Sequence, residues 1–219
     1  MTKAIIFDMD GTLFQTDLIL ERALEATFHM LREKGLWDGP TPLKVYQKIM
    51  GVPLSVVWQT LCPNHSSEVH ESSNDYFQEA LIGLIKQKRG ALYDDVESTL
   101  EVLSQEYTLF IASNGVTDYL QAIVETYELH KFVTKTYSID LIANGSKTDL
   151  VRLIKEENEI VFGYVVGDRI SDFAAGSGND LTSIGVKFDY AQEKELQQAD
   201  IVVERFEELI DVIKKTALV

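Results

Sequence analysis

Ala4-Ile5-Ile6-Phe7-Asp8-Met9-Asp10-Gly11-Thr12-Leu13 is the stretch on which the fold turns. Its four leading apolar residues, two of them β-branched, predict a short buried strand that Gly11 closes at once. Asp8 and Asp10 then fall at the strand's carboxyl end, the rim where open α/β sheets take their ligands. Were the backbone extended through both, spacing i, i+2 would turn the two carboxylates to one side. Two carboxylates so close raise one pKa or call for a cation, and a hard divalent ion such as Mg²⁺ suits oxygen ligands.

Working outward, Thr16 or Asp17 is a plausible N-cap for a helix with apolar periodicity through Leu31, ended by Gly35. Trp37-Asp38-Gly39-Pro40-Thr41-Pro42 is turn chemistry. Short helical patterns follow at about 42–50 and 54–61, then a polar loop from Pro63 to Ser73 and a helix at about 74–88. No strand pattern occurs between Phe14 and Gly90, so this block is expected to be an all-helical module. From Gly90 the pattern becomes strand–helix alternation. Thr108–Ala112, Phe132–Ser138, Ile160–Val166, Ser183–Val186 and Ile201–Val203 are the expected strands, with helices between them and a last helix over Phe206–Lys215. The fold class is therefore α/β: a Rossmann-like, mostly parallel sheet flanked by helices, with an inserted helical domain. The expected domains are a core of 1–14 and 86–219 and a helical cap of 15–85.

The net charge of −15 disfavours nucleic acid and anionic membrane as partners. No apolar run approaches the length of a membrane span or a signal peptide, and Cys62 is the single cysteine. A cytoplasmic protein is expected, monomer or homodimer.

Four strand ends or helix starts carry polar residues: Asp8 with Asp10, Ser113 with Asn114, Lys147, and Asp168 with Asp172. In a parallel sheet all strand carboxyl ends lie on one rim, so these groups can converge, with Lys147 opening a helix whose N-terminus favours an anion. Carboxylates, a hydroxyl, an amide and an ammonium suit Mg²⁺-assisted phosphoryl transfer.

Asp8-Met-Asp10-Gly11-Thr12-Leu13, Ser113-Asn114, Lys147 and Gly167-Asp168-Arg-Ile-Ser-Asp172 resemble the four ordered motifs of the haloacid dehalogenase superfamily. More closely, they resemble its phosphoglycolate phosphatase-like branch with a helical cap. The resemblance implies a Mg²⁺-dependent phosphatase acting on a small phosphorylated metabolite. Asp8 would be the nucleophile that forms an aspartyl-phosphate, and Asp10 the general acid and base. Ser113, Asn114 and Lys147 would bind the phosphate. Asp8, Asp168, Asp172 and the Asp10 carbonyl would serve the metal, Asp172 through water or by orienting its neighbours. Gln15-Thr16 and Asp94-Asp95 depart from the family pattern near the cap junctions. A phosphomutase using the same core residues is the alternative. Asp10 argues against carbon–halogen cleavage, which needs no acid there.

Other polar residues have plainer readings. Cys62, His65 and His70 lack a fourth soft ligand and are assigned to a polar cap loop. Trp37 and Trp58, with Phe28, Val56 and Leu61, are expected in the cap core. Arg169 has two readings, a pair with a core carboxylate or a contact with substrate.

Overall fold

The computed structural model describes residues 2–216 apart from 50, 51, 53, 144 and 190. It forms two compact units, Met1–Gln15 with Leu92–Val219, and Thr16–Ala91.

The first unit is built on a six-stranded parallel sheet of order β3-β2-β1-β4-β5-β6. The strands are β1 (Thr2–Phe7), β2 (Thr108–Ser113), β3 (Val133–Ser138), β4 (Ile160–Gly167), β5 (Thr182–Val186) and β6 (Ile201–Val203). β1 is central, and both its neighbours arrive late in the chain. Phe7 pairs with Ile111 on β2 and with Val166 on β4, so the residues just beyond these three meet on one rim. A strand flanked on both sides and covered on both faces must be apolar throughout, and Ala4 to Phe7 are all buried.

The second unit consists of α1 (Asp17–Glu33), α2 (Leu43–Lys48), α3 (Leu54–Leu61) and α4 (Ser67–Lys86). The sheet unit carries α5 (Val96–Leu103), α6 (Thr117–Thr126), α7 (Lys147–Glu157), α8 (Ile170–Ser177), α9 (Glu193–Leu196) and α10 (Glu208–Thr216). Ala4 and Ile6 lie in one core cluster with Leu150, Val151 and Ile154 of α7 and Ala175 of α8. Phe7 points to the other face, its ring centroid 5.9 Å from that of Phe206, which leads into α10. Period-two alternation along β1 thus supplies both cores.

The helical unit leaves and re-enters the sheet unit at adjacent points. Phe14 bridges Leu92, Tyr93 N–H donates to Leu13 O at 3.1 Å, and Gln15 Nε2 donates to Leu92 O at 2.7 Å. Gln15 therefore fastens the junction from its own side chain. The sheet unit resumes at Leu92, past the expected 86, because α4 runs to Lys86 and a turn follows it.

Within the helical unit two expectations are corrected. The polar stretch 63–73 is not all loop. α4 starts at Ser67, because Ser66 Oγ caps Val69 N–H and Glu68 sits in the first turn. Its Ser73, Phe77, Leu81 and Ile85 form a buried stripe at helical spacing. Val56 is 43% exposed; the buried face of α3 is Val57, Trp58 and Leu61, so the helical phase puts Val56 outside. Trp58 Nε1 donates to Asn74 Oδ1 at 3.1 Å, and Phe28 meets Trp37 edge-on at 4.9 Å. His65 and His70 ring nitrogens bond the carbonyls of Leu36 and Cys62, at 2.6 and 2.7 Å. Both bonds are made through Nε2. No helix among the described residues is long and apolar enough to cross a membrane.

Candidate active site

β1 ends at Phe7, and Asp8 N–H makes one further ladder bond, to Val166 O at 2.8 Å. The chain then turns. Met9 O accepts from Leu13 and Phe14 N–H, both at 2.9 Å, and Gly11 takes φ +75°. The extended geometry assumed for Asp8 and Asp10 therefore stops before Asp10, and their carboxylates find separate partners. A Cβ on Gly11 would stand 2.7 Å from Asp168 Oδ2. Glycine is required there twice over, for the positive φ and for the close approach.

Lys147 opens α7 behind a capping box in which Ser146 Oγ accepts from Asp149 N–H and Asp149 Oδ2 accepts from Ser146 N–H. Its side chain runs into the core unit and is buried. Nζ lies 2.6 Å from Asp8 Oδ1 and 2.5 Å from Asp172 Oδ1. Asp172 is fixed from its other oxygen, since Oδ2 accepts from Arg169 N–H at 3.0 Å at the start of α8. Gly167 makes room for it: a Cβ there would sit 2.1 Å from Asp172 Cγ. Asn179 stitches α8 to α7. Its Nδ2 donates to Ala175 O and to Thr148 O, at 2.8 and 3.0 Å.

Carboxylate oxygens of Asp8, Asp168 and Asp172 lie within 4.8 Å of one another, and all three residues are buried. At that separation each like-charge pair costs about 3 kcal/mol at an effective dielectric near 20. One ammonium faces three desolvated carboxyl groups, which when all ionised outnumber it. Burial pushes the Asp8 carboxyl up to about 7; Lys147 opposes this, while Asp172 and Asp10 add to it. Burial, then Asp8 and Asp172, hold the Asp168 carboxyl well above the usual range. Burial alone would lower the Lys147 ammonium, yet Asp172 and Asp8 outweigh it and the net shift is upward. Asp168 Oδ1 is buried with no hydrogen-bond partner among the described residues. An all-oxygen donor set of three acidic groups, with an orphaned carboxylate oxygen, fits a hard divalent cation such as Mg²⁺.

Ser113 is buried at the end of β2, two residues past the partner of Phe7, and its Oγ accepts from Gly115 N–H at 3.0 Å. Asn114 follows it, half-buried. Asp10 stands outside the cluster of three; its Oδ1 accepts from the Tyr119 hydroxyl. Arg169 takes the carboxylate-pairing reading, with Nε 3.0 Å from Glu195 Oε2. That same oxygen accepts from Ile170 N–H at 2.9 Å. Sequence reasoning missed Tyr119 and Glu195. The only linear hint for Tyr119 is that its helix starts four residues after Ser113, which brings its first turn to the rim.

The family model for haloacid dehalogenase-like hydrolases matches residues 5–186. A pyrophosphatase, PpaX, of Listeria monocytogenes is 23% identical, over 96% of this chain and 95% of its own. A phosphoglycolate phosphatase of Agrobacterium fabrum is 24% identical, over 94% of this chain and 90% of its own. Among solved structures, one described as a predicted phosphoglycolate phosphatase from Haemophilus somnus superposes with a TM-score of 0.81 at 18% identity. It covers 97% of this chain and 98% of that one. The match spans both the strand that carries Asp8 and the segment that carries Asp168 and Asp172, and the chain belongs to the haloacid dehalogenase-like hydrolases.

Proposed function

We propose that the chain is a phosphatase that hydrolyses a small phosphate monoester through an aspartyl-phosphate on Asp8, with Mg²⁺ as cofactor. The observation that carries this reading is the buried Lys147 ammonium held between Asp8 and Asp172 beside the orphaned oxygen of Asp168. A structural ion pair gains little from deep burial, because desolvation consumes most of the Coulomb energy. A site that binds and transfers a phosphoryl group needs fixed charge of this kind. The relatives named pyrophosphatase and phosphoglycolate phosphatase share cleavage of a P–O bond to a phosphoryl group.

Asp8 attacks phosphorus, and its new O–P bond forms as the bond to the leaving oxygen breaks. Asp10 gives that oxygen its proton. Asp10, now ionised, takes a proton from the water that attacks the phosphoryl-enzyme, and the bond to Asp8 breaks to release phosphate. Lys147 and Ser113 bind the non-bridging phosphoryl oxygens, and Asn114 helps to hold the site. Asp172 orients Lys147. Asp8, Asp168 and the Asp10 carbonyl would hold Mg²⁺, which when bound adds positive charge beside the phosphoryl group. The helical unit would serve as the cap that excludes bulk water and selects the ester.

The test is phosphate release from a panel of metabolite esters and 4-nitrophenyl phosphate, with and without chelator. Turnover is expected to need Mg²⁺ and to vanish in a folded Asp8→Asn variant. Retention of more than a hundredth of the activity by that variant would falsify the nucleophile assignment, and indifference to chelation would remove the metal.

A further inference from the structure

The Tyr119 hydroxyl donates to Asp10 Oδ1, and Tyr119 is only 4% exposed. The bond joins residues distant in sequence, so its geometry is imposed by the fold. Three contacts aim the phenol. Ser138 Oγ donates to Gly115 O at 2.7 Å, which anchors the loop between β2 and α6. Asp140 Oδ2 accepts from Thr117 N–H at 2.9 Å and from Thr117 Oγ1 at 3.3 Å, which pins the first turn of α6. A Cβ on Gly115 would lie 3.1 Å from Tyr119 Cδ1, so the absence of a side chain there leaves the ring its place. Asp10 itself sits on the Gly11 turn, whose backbone permits more freedom than a strand. The bond from Tyr119 restricts rotation of that carboxyl group about its two side-chain torsions.

We infer that Tyr119 is a positioning residue for Asp10: it holds one carboxyl oxygen so that the other faces the leaving oxygen of the ester. The inference rests on the reading of Asp10 as the group that protonates that oxygen. Proton transfer needs donor and acceptor within hydrogen-bond reach, and a carboxyl held in one rotamer is in reach more of the time. A merely structural tyrosine would contribute to every substrate alike. A tyrosine that positions the acid matters only where the leaving group needs a proton. An alkoxide needs one to depart; a nitrophenolate does not.

The experiment compares kcat/KM for a primary alkyl phosphate and for 4-nitrophenyl phosphate in the wild type, Tyr119→Phe and Asp10→Asn, each checked for folding by its melting transition. kcat/KM reports events up to loss of the leaving group, so a slow later hydrolysis does not mask the effect. Tyr119→Phe keeps the ring packing. It is expected to lose about tenfold on the alkyl ester and less than threefold on the nitrophenyl ester. Asp10→Asn is expected to show the same preference, larger. Equal losses on both esters in Tyr119→Phe, or no loss on either, overturn the inference. If Asp10→Asn discriminates between the esters and Tyr119→Phe does not, only the positioning role falls. If Asp10→Asn loses both esters equally, the acid assignment fails and the role of Tyr119 goes with it.

Discussion

The Lys147 ammonium lies 2.6 Å from Asp8 Oδ1, with both groups buried. The same nitrogen touches Asp172, so this one cation carries the balancing charge for two carboxylates and stands near a third. Taking it away strands them. Lys147→Met is expected to cost about 3–5 kcal/mol in denaturant unfolding at neutral pH. Phosphatase activity should fall at least about a hundredfold. Lys147→Arg should not restore it, because a planar fork cannot replace a point charge between two fixed oxygens. Near-normal stability of Lys147→Met would show that the carboxylates do not depend on it.

Asp168 adds a third carboxyl to a buried cluster with one ammonium, the donor set proposed above for Mg²⁺. In the wild type Mg²⁺ at about a hundred times its Kd should raise the melting temperature by about 5–10 °C, from a linkage of about 2.7 kcal/mol. Asp168→Asn should abolish most of that rise. Without metal, the variant should melt no lower than the wild type, since one of three mutually repelling carboxylates has gone. A variant that melts lower in chelator and still responds to Mg²⁺ would place the ion elsewhere.

Gly11 and Gly35 separate backbone strain from crowding. Both have positive φ, +75° and +68°, but a Cβ on Gly35 would have nothing within 4 Å. Gly35→Ala is expected to cost about 1 kcal/mol and to leave kcat/KM alone. Gly11→Ala carries that strain and also presses on Asp168, so Mg²⁺ affinity measured by calorimetry should fall at least about tenfold. Equal behaviour of the two variants would mean that the turn does not position Asp168.

Cys62 is fully buried, and burial pushes its thiol up to about 11 from 9.0. The fold favours the protonated form. Its contribution to stability is complete below pH 9 and is lost as pH rises toward about 11. Cys62→Ala should therefore lose less stability than the wild type over that interval, read from melting temperatures. At pH 7–8 a thiol reagent should label Cys62 only after unfolding; rapid labelling of the native protein would contradict its burial.

Much of this architecture is local chemistry. Ala4–Phe7, Thr108–Ala112 and Ile160–Val166 are apolar runs too continuous for a half-exposed sheet, and each is closed by a polar or glycine-rich segment. That pattern implies buried parallel strands, and parallel strands put all their carboxyl ends on one rim. Ser146 before Lys147, with Asp149 three residues after the cap, likewise marks the start of α7. Where local chemistry was ambiguous, packing decided. The polar residues from Ser67 onward join α4 because Ser73, Phe77, Leu81 and Ile85 give that helix a buried stripe. Asp10 leaves the extended path because Met9 O gathers the turn.

The amino-acid sequence by itself determined the strand–helix alternation and the helical insertion, because these follow from periodicity, capping and turn chemistry within a few residues. Only the tertiary structure decided that Lys147 is shared by Asp8 and Asp172, that Arg169 is taken by Glu195, and that Tyr119 holds Asp10. Those pairings depend on sheet order and helix seating to within a fraction of an ångström. Such distances are set by the closure of the whole core, which no short window of sequence contains.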